Sequence, residues 1–195
     1  MKLFAVILPV PDAALNRYGR GRHRELQALA RRAVFQAAAH AGHPSLRLDQ
    51  EENGRPRPWA GIHWSLSHKT RYVAGITAPE PVGIDLEWVR PMAEGMYARV
   101  GRPHDWELLG KQAPVSFFRL WTAKEAVLKA VGTGLRDLDR CELVQVETDR
   151  LVMAHGATHW QVCHHAFEDH LAAVAAAVDF QVVWKMPPSP CHSFL

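Results

Sequence analysis

The sequence predicts an α/β (α+β) chain built from two related halves. Two observations lead there. The segment His63-Trp64-Ser65-Leu66-Ser67-His68 is echoed by His159-Trp160-Gln161-Val162-Cys163-His164, about half a chain length later. Each copy is followed by an apolar run, Tyr72–Ile76 in the first and Leu171–Val178 in the second, and each half carries a helix-periodic segment ahead of these strands. The halves are expected to divide at residue 90, giving lobes over 1–90 and 91–195 with a loose proline-rich tail from about residue 187. A cleft between two such lobes is a natural place for a ligand.

The elements are expected as follows. Residues 3–8 form an apolar run ended by Pro9-Val10-Pro11 and preceded by a single positive charge, which fits a first strand better than a secretion signal. Residues 22–41 read as a helix, because Leu26, Leu29, Ala33 and Ala37 recur at spacings of three and four and Gly42 follows as a stop. A loop rich in proline, arginine and acidic residues spans 44–60. Strands are expected over 62–67, 71–77 and 82–88. The stretch 91–115 carries Pro91, Pro103 and Pro114 and reads as a long connection with one short helix. Residues 116–131 form a helix with Leu120, Ala123, Val127 and Val131 as its buried stripe. Further strands are expected near 141–147, 159–164 and 170–178.

The composition sets bounds on function. With 195 residues, 48% hydrophobic and 22% charged, the chain has the makings of an ordinary water-soluble core. The formal net charge of +3 favours an anionic ligand without naming one. Cys141, Cys163 and Cys191 are odd in number and show no C-x-x-C spacing, so free thiols in a reducing cytoplasm are expected rather than disulfides or a thiolate zinc site. No apolar run reaches the roughly 18 to 20 residues that a bilayer span requires, so no membrane partner is expected.

Chemistry concentrates in three places. In Val82-Gly83-Ile84-Asp85-Leu86-Glu87 the two carboxylates share one strand face, while Ile84 and Leu86 face the core. Paired carboxylates repel unless a cation or donor joins them, and hard oxygen ligands suit Mg²⁺. A solvated strand edge carrying two independent charges fits the same pattern. In the helix, Glu125 and Lys129 are four residues apart, on one face near Thr122. They form either a third carboxylate and a cation aimed at one point, or a plain surface ion pair. Ser65-Leu66-Ser67-His68-Lys69 gathers hydroxyls, an imidazole and an ammonium at a strand end, groups that bind phosphate and that also serve in turns. Arg17, Arg20, Arg22, Arg24, Arg31 and Arg32 crowd the N-terminal helix region, as a phosphate pocket or as a solvated face. His155, His159, His164, His165 and His170 are expected to be structural or solvent-facing, away from the carboxylates.

In order, Asn53-Gly54-Arg55-Pro56, Trp64-Ser65-Leu66-Ser67-His68, Gly83-Ile84-Asp85-Leu86-Glu87 and Trp121-Thr122-Ala123-Lys124-Glu125-Ala126-Val127-Leu128-Lys129 resemble the motifs of the Sfp-type 4′-phosphopantetheinyl transferases. The resemblance covers residues 53–134. It implies two pseudo-twofold-related lobes with coenzyme A in the cleft between them. It implies an enzyme that moves phosphopantetheine from coenzyme A to a serine of an apo acyl or peptidyl carrier protein, with release of 3′,5′-ADP. Asp85, Glu87 and Glu125 would hold Mg²⁺. Glu125 and Lys129 would be catalytic, and Ser67, His68, Arg55, Lys124, Arg17 and Arg24 would contact coenzyme A. Arg55 stands where the family more often has lysine, which keeps the charge and changes the geometry.

The carrier is expected to dock on the stretch from Pro91 to Phe118, using Met92, Met96 and Tyr97 as apolar contacts and Arg90, Arg99, Arg102 and Lys111 as cations. The bland alternative is that the three apolar residues pack inward. A monomer is expected, in the cytoplasm and without nucleic acid. Two rival readings remain open: a coenzyme A-binding protein without transfer activity, and a basic RNA-binding module.

Overall fold

The computed structural model describes residues 1–15, 19–147 and 149–187. Its elements are β1 (Lys2–Pro9), α1 (Asp12–Leu15), α2 (Gly19–His40), β2 (His63–His68), β3 (Tyr72–Ala78), β4 (Val82–Trp88), α3 (Glu94–Val100), α4 (Pro103–Leu108) and α5 (Pro114–Val131). A 3₁₀ segment (Leu135–Arg140) follows, then β5 (Cys141–Val146), β6 (Arg150–His155), β7 (Thr158–Phe167), β8 (His170–Ala176) and β9 (Gln181–Lys185). The strands form two sheets, in the orders β2-β3-β1-β9 and β4-β8-β7-β6-β5.

A common unit recurs. In the first sheet β1 pairs antiparallel with β3, β3 pairs antiparallel with β2, and α2 packs against them. In the second, β4 pairs antiparallel with β8, β8 pairs antiparallel with β7, and α5 packs on β4 and β8. The echoed segments lie in β2 and β7, which hold the same place in the two units. The hairpin β5–β6 is an addition to the second unit. The expected division at residue 90 needs correction: β4 hydrogen-bonds along β8 in the second sheet, and β9 returns to pair parallel with β1 in the first. The proposed N-terminal half thus gives away a strand and receives one.

The layers run helix, sheet, sheet, helix. Leu3, Ala5, Ile7, Ala74 and Ile76 of the first sheet meet Ile84, Leu86, Ala172 and Val174 of the second. The outer face of the first sheet, with Val6 and Val73, is covered by Leu26, Ala30, Ala33 and Ala37 of α2. Leu120, Ala123 and Val127 of α5 are fully enclosed, as their spacing predicts, while Val131 is only partly buried.

Two glycines set the helix–sheet spacing. A Cβ on Gly75 would collide with the α2 backbone at Ala33 and Val34, and one on Gly83 with the α5 backbone at Ala126. The second contact seats α5 directly on β4. The connection 91–115 holds two short helices rather than one. Tyr97 is buried against Trp106 and Phe117, and Met92 and Met96 pack on the same core, so the inward alternative describes these apolar residues.

Candidate functional site: a carboxylate centre between β4 and α5

Asp85 and Glu87 are both buried, at 5% and 7% exposure, although they face away from the inter-sheet core. β4 is covered on both sides, so its carboxylates lie beneath α5 and the end of β2. Burial of two carboxylates demands partners. Asp85 Oδ1 accepts a hydrogen bond from Ser67 Oγ at 2.9 Å and from Lys129 Nζ at 2.7 Å. Lys129 Nζ also donates to the Ile84 carbonyl at 3.1 Å. Glu87 Oε1 accepts from the Trp121 indole Nε1 at 3.1 Å and pairs with Lys69 Nζ at 2.7 Å. Ser65 Oγ accepts the Ile84 backbone N–H at 3.1 Å and ties the middle of β2 to β4.

One oxygen of each carboxylate is therefore held in place, and these interactions leave the other oxygen open. Asp85 Oδ2 is buried and has no hydrogen-bond partner among the described residues. Such an orphan is costly and marks a place for a cation or a donor. Glu125, half-buried on α5, has its carboxyl pushed up, first by burial and next by the charge of Asp85, with Lys129 pulling the other way. The donor set Asp85, Glu87 and Glu125 offers hard oxygens suited to Mg²⁺. These three do not form a cluster with all ligand atoms within 4.8 Å of one another. Among the described residues, Glu168, Asp169 and His170 do. In that second cluster Glu168 accepts from the Tyr72 hydroxyl and Asp169 from the Trp88 indole, with His170 Nδ1 at 2.7 Å from Asp169, so its members are already engaged.

Beside Lys129 opens a cavity of about 510 Å³. Its walls include Arg55, Ser65, Lys129, Gly132 and Thr133. The Arg55 side chain lies against Gly132, where no Cβ would fit. Thr133 Oγ1 is buried there without a partner among the described residues. His68 stands at the end of β2 in edge contact with His23, ring centroids 5.3 Å apart. Burial, then His23, then Lys129 push the His68 pKa down. Arg24 and Arg20 line a separate surface hollow with His23 at the start of α2. Arg17 lies outside the described residues.

The expectation for Lys124 needs correction. Its side chain is buried on the other side of α5, 3.9 Å from Asp105 Oδ2, and it lines a cavity with Arg99, Arg102 and Trp106. Adjacent helical positions point about 100° apart, so Lys124 cannot share the face of Glu125 and Lys129. Conversely, the site list drawn from the sequence lacks Lys69 and Trp121. Both hold Glu87, and Lys69 was visible only as a cation at the end of the hydroxyl-rich strand.

The chain resembles known proteins. Residues 81–175, which run from β4 through β8, match the family model of the 4′-phosphopantetheinyl transferase superfamily. The chain belongs to that superfamily. Its curated relatives place it among the Sfp-type members. It is 30% identical over 147 residues to the 4′-phosphopantetheinyl transferase HetI of Nostoc sp., covering 69% of this chain and 62% of that protein. It is 34% identical over 94 residues to psf-1 of Bacillus pumilus, covering 45% and 40%. It is 27% identical over 110 residues to Sfp of Bacillus subtilis, covering 53% and 49%. The matched part therefore spans 40% to 62% of these relatives. No helix among the described residues is long and apolar enough to cross a membrane.

Proposed function

We propose that the protein transfers the 4′-phosphopantetheine arm of coenzyme A to a serine of an apo acyl or peptidyl carrier protein. The observation that carries this reading is the junction of Ser67, Asp85 and Lys129. A hydroxyl from β2, a carboxylate from β4 and an ammonium from α5 meet at one oxygen, and the second oxygen of that carboxylate is buried and open. Asp85, Glu87 and Glu125 would hold Mg²⁺, which when bound supplies charge neutralisation for a pyrophosphate. The two related units would be pseudo-twofold lobes, with coenzyme A in the cleft that Arg55 and Lys129 line.

The chain's own groups have separate tasks. Arg55, with Ser67 and His68, offers donors and positive charge to phosphate oxygens. Arg24, with His23 and Arg20 at the start of α2, offers the same to a more distant phosphate. Lys129 neutralises charge that grows at the reacting phosphorus as the carrier serine oxygen bonds to it and the bond to 3′,5′-ADP breaks. Glu125 accepts the serine proton, a role that its raised pKa favours. The protein would act as a cytoplasmic monomer, because one chain supplies every wall of the cleft.

The decisive experiment incubates the protein with an apo carrier protein, coenzyme A and Mg²⁺ and weighs the carrier. A mass gain of one phosphopantetheine is expected. Coenzyme A binding without any mass gain would favour the inactive binding protein. Binding to RNA that needs no Mg²⁺ and falls steeply with salt would favour the third reading.

A further inference from the structure

The buried face of α5 opposite the carboxylate centre holds a second feature. A cavity of about 450 Å³ lies beneath α3 and α4, lined by Val100, Arg102, Trp106, Gln112 and Asp139, with Arg99 at its rim and Lys124 in its wall. Lys124 is only 3% exposed. Among the described residues its ammonium makes no hydrogen bond, and the ion pair with Asp105 Oδ2 spans 3.9 Å. Asp105 is committed elsewhere: its Oδ2 accepts the Arg102 backbone N–H at 2.9 Å at the start of α4. A lysine carries three donors, and burying them unmet is expensive.

The other charges of the cavity are unequally matched. Arg102 spends its guanidinium on Glu142 Oε1 at 2.6 Å and on the Asp139 carbonyl at 2.8 Å. Arg99 has no ion pair among the described residues. Asp139 is exposed, lines the cavity and opposes an anion there, against the two cations Lys124 and Arg99. Trp106 uses its Nε1 on the Gly101 carbonyl at 3.2 Å, so its ring is left to form an apolar wall with Val100 and Pro103.

We propose that this cavity is a binding site for a small organic carboxylate. Its carboxylate accepts from Lys124 inside and Arg99 at the rim, and its apolar body lies on Trp106. The volume is within the range of small-molecule pockets, and a buried cation beside an aromatic wall selects an amphiphilic acid over a bare inorganic ion.

The test is a benzoate titration of the whole protein, followed by calorimetry and by saturation-transfer NMR, with the coenzyme A cleft first saturated. Saturable binding tighter than about 10 mM is expected. Benzamide, isosteric and uncharged, should not bind. Lys124→Met should weaken benzoate by more than about thirtyfold, and Arg99→Ala by roughly three- to tenfold. Arg99 is exposed, so its variant and the benzamide control decide the matter even if Lys124→Met fails to fold. Absence of saturation, equal binding of benzamide, or unchanged affinity in Arg99→Ala would overturn the proposal.

Discussion

Lys129 Nζ lies 2.7 Å from Asp85 Oδ1 and joins the last turns of α5 to the middle of β4. The sequence places these residues 44 positions apart. Their contact depends on Gly83, which lets α5 settle onto the strand. Asp85 is nearly enclosed and Lys129 about one-third exposed, so the pair is partly screened. Lys129→Met should remove one of two donors to a buried carboxylate and cost about 1–3 kcal/mol of stability. Denaturant unfolding measures this. Transfer should fall by at least roughly a hundredfold, as for loss of a group that stabilises transition-state charge. An unchanged unfolding midpoint would show that the ion pair does not persist in solution.

Glu125→Gln keeps the shape of the side chain and loses its charge. Transfer should be abolished while coenzyme A affinity stays within about tenfold, because the substituted group serves proton transfer and metal binding more than substrate contact. Asp85→Asn should reduce activity and weaken Mn²⁺ binding, measured by calorimetry without coenzyme A, since it removes a charged oxygen donor. Wild-type turnover at low Mg²⁺ in either variant would remove the carboxylates from the reaction.

Gly83→Ala tests the seating of α5. The added methyl would collide with the carbonyl of Ala126, which is helix backbone and cannot swing aside as a side chain does. Overpacking of this kind costs about 1–3 kcal/mol and occasionally more. A fall of several degrees in Tm is expected, with loss of transfer in proportion to the displacement of Glu125 and Lys129. An undisturbed Tm would mean that the interface yields more easily than its packing suggests.

The sequence was most legible where periodicity and chemistry coincide. The stripe of α5 and the alternation of β4 placed Glu125, Lys129, Asp85 and Glu87 correctly on their elements. The echoed residues 63–68 and 159–164 lie in β2 and β7, which have corresponding neighbours in the two sheets. What was hidden is non-local. β4 adjoins β3 in sequence and pairs with β8, and no local signal says so. β9 and β6 were missed: Gln181–Lys185 and Arg150–His155 are short, and each gains its order from a neighbouring strand rather than from its own pattern. Lys124 went astray because it sits within a motif whose neighbour is functional, while helix geometry turns it toward Asp105.

His164 gives a pH dependence independent of the carboxylates. Its ring lies between β7 and α5, with Nε2 at 3.1 Å from the Arg119 carbonyl and Nδ1 enclosed without a partner among the described residues. Burial, then the nearby Arg119 charge, push its pKa down from 6.5 to about 4. The folded form thus resists protonation that the unfolded chain accepts near pH 6.5. Stability from this source is fully present above pH 6.5 and is lost as pH falls toward 4. Discounted for the ring's partial exposure, the loss is about 2 kcal/mol. His164→Gln should flatten the decline of unfolding free energy between pH 6.5 and 4, and an identical slope in both proteins would remove His164 as its source.

Arg55 and Gly132 form a pair that a mutant cycle can isolate. Gly132 caps α5 with φ of 84°, a conformation that glycine adopts freely and alanine does not, at a cost of about 1 kcal/mol. Independently, its missing side chain is the space that Arg55 occupies, so an added methyl must push the guanidinium away from the cavity wall. Gly132→Ala should therefore lower coenzyme A affinity by roughly three- to tenfold if Arg55 binds a phosphate oxygen there. Arg55→Ala should lower it by a similar factor. The two effects share one cause, so the double variant should bind about as well as Arg55→Ala alone. The backbone penalty, by contrast, should persist in both backgrounds when stability is measured by urea unfolding. Arg55→Lys separates charge from shape: if the planar fork matters, lysine restores only part of the affinity. Additive losses of affinity in the double variant would mean that Gly132 acts through the backbone alone and that Arg55 does not depend on its seat.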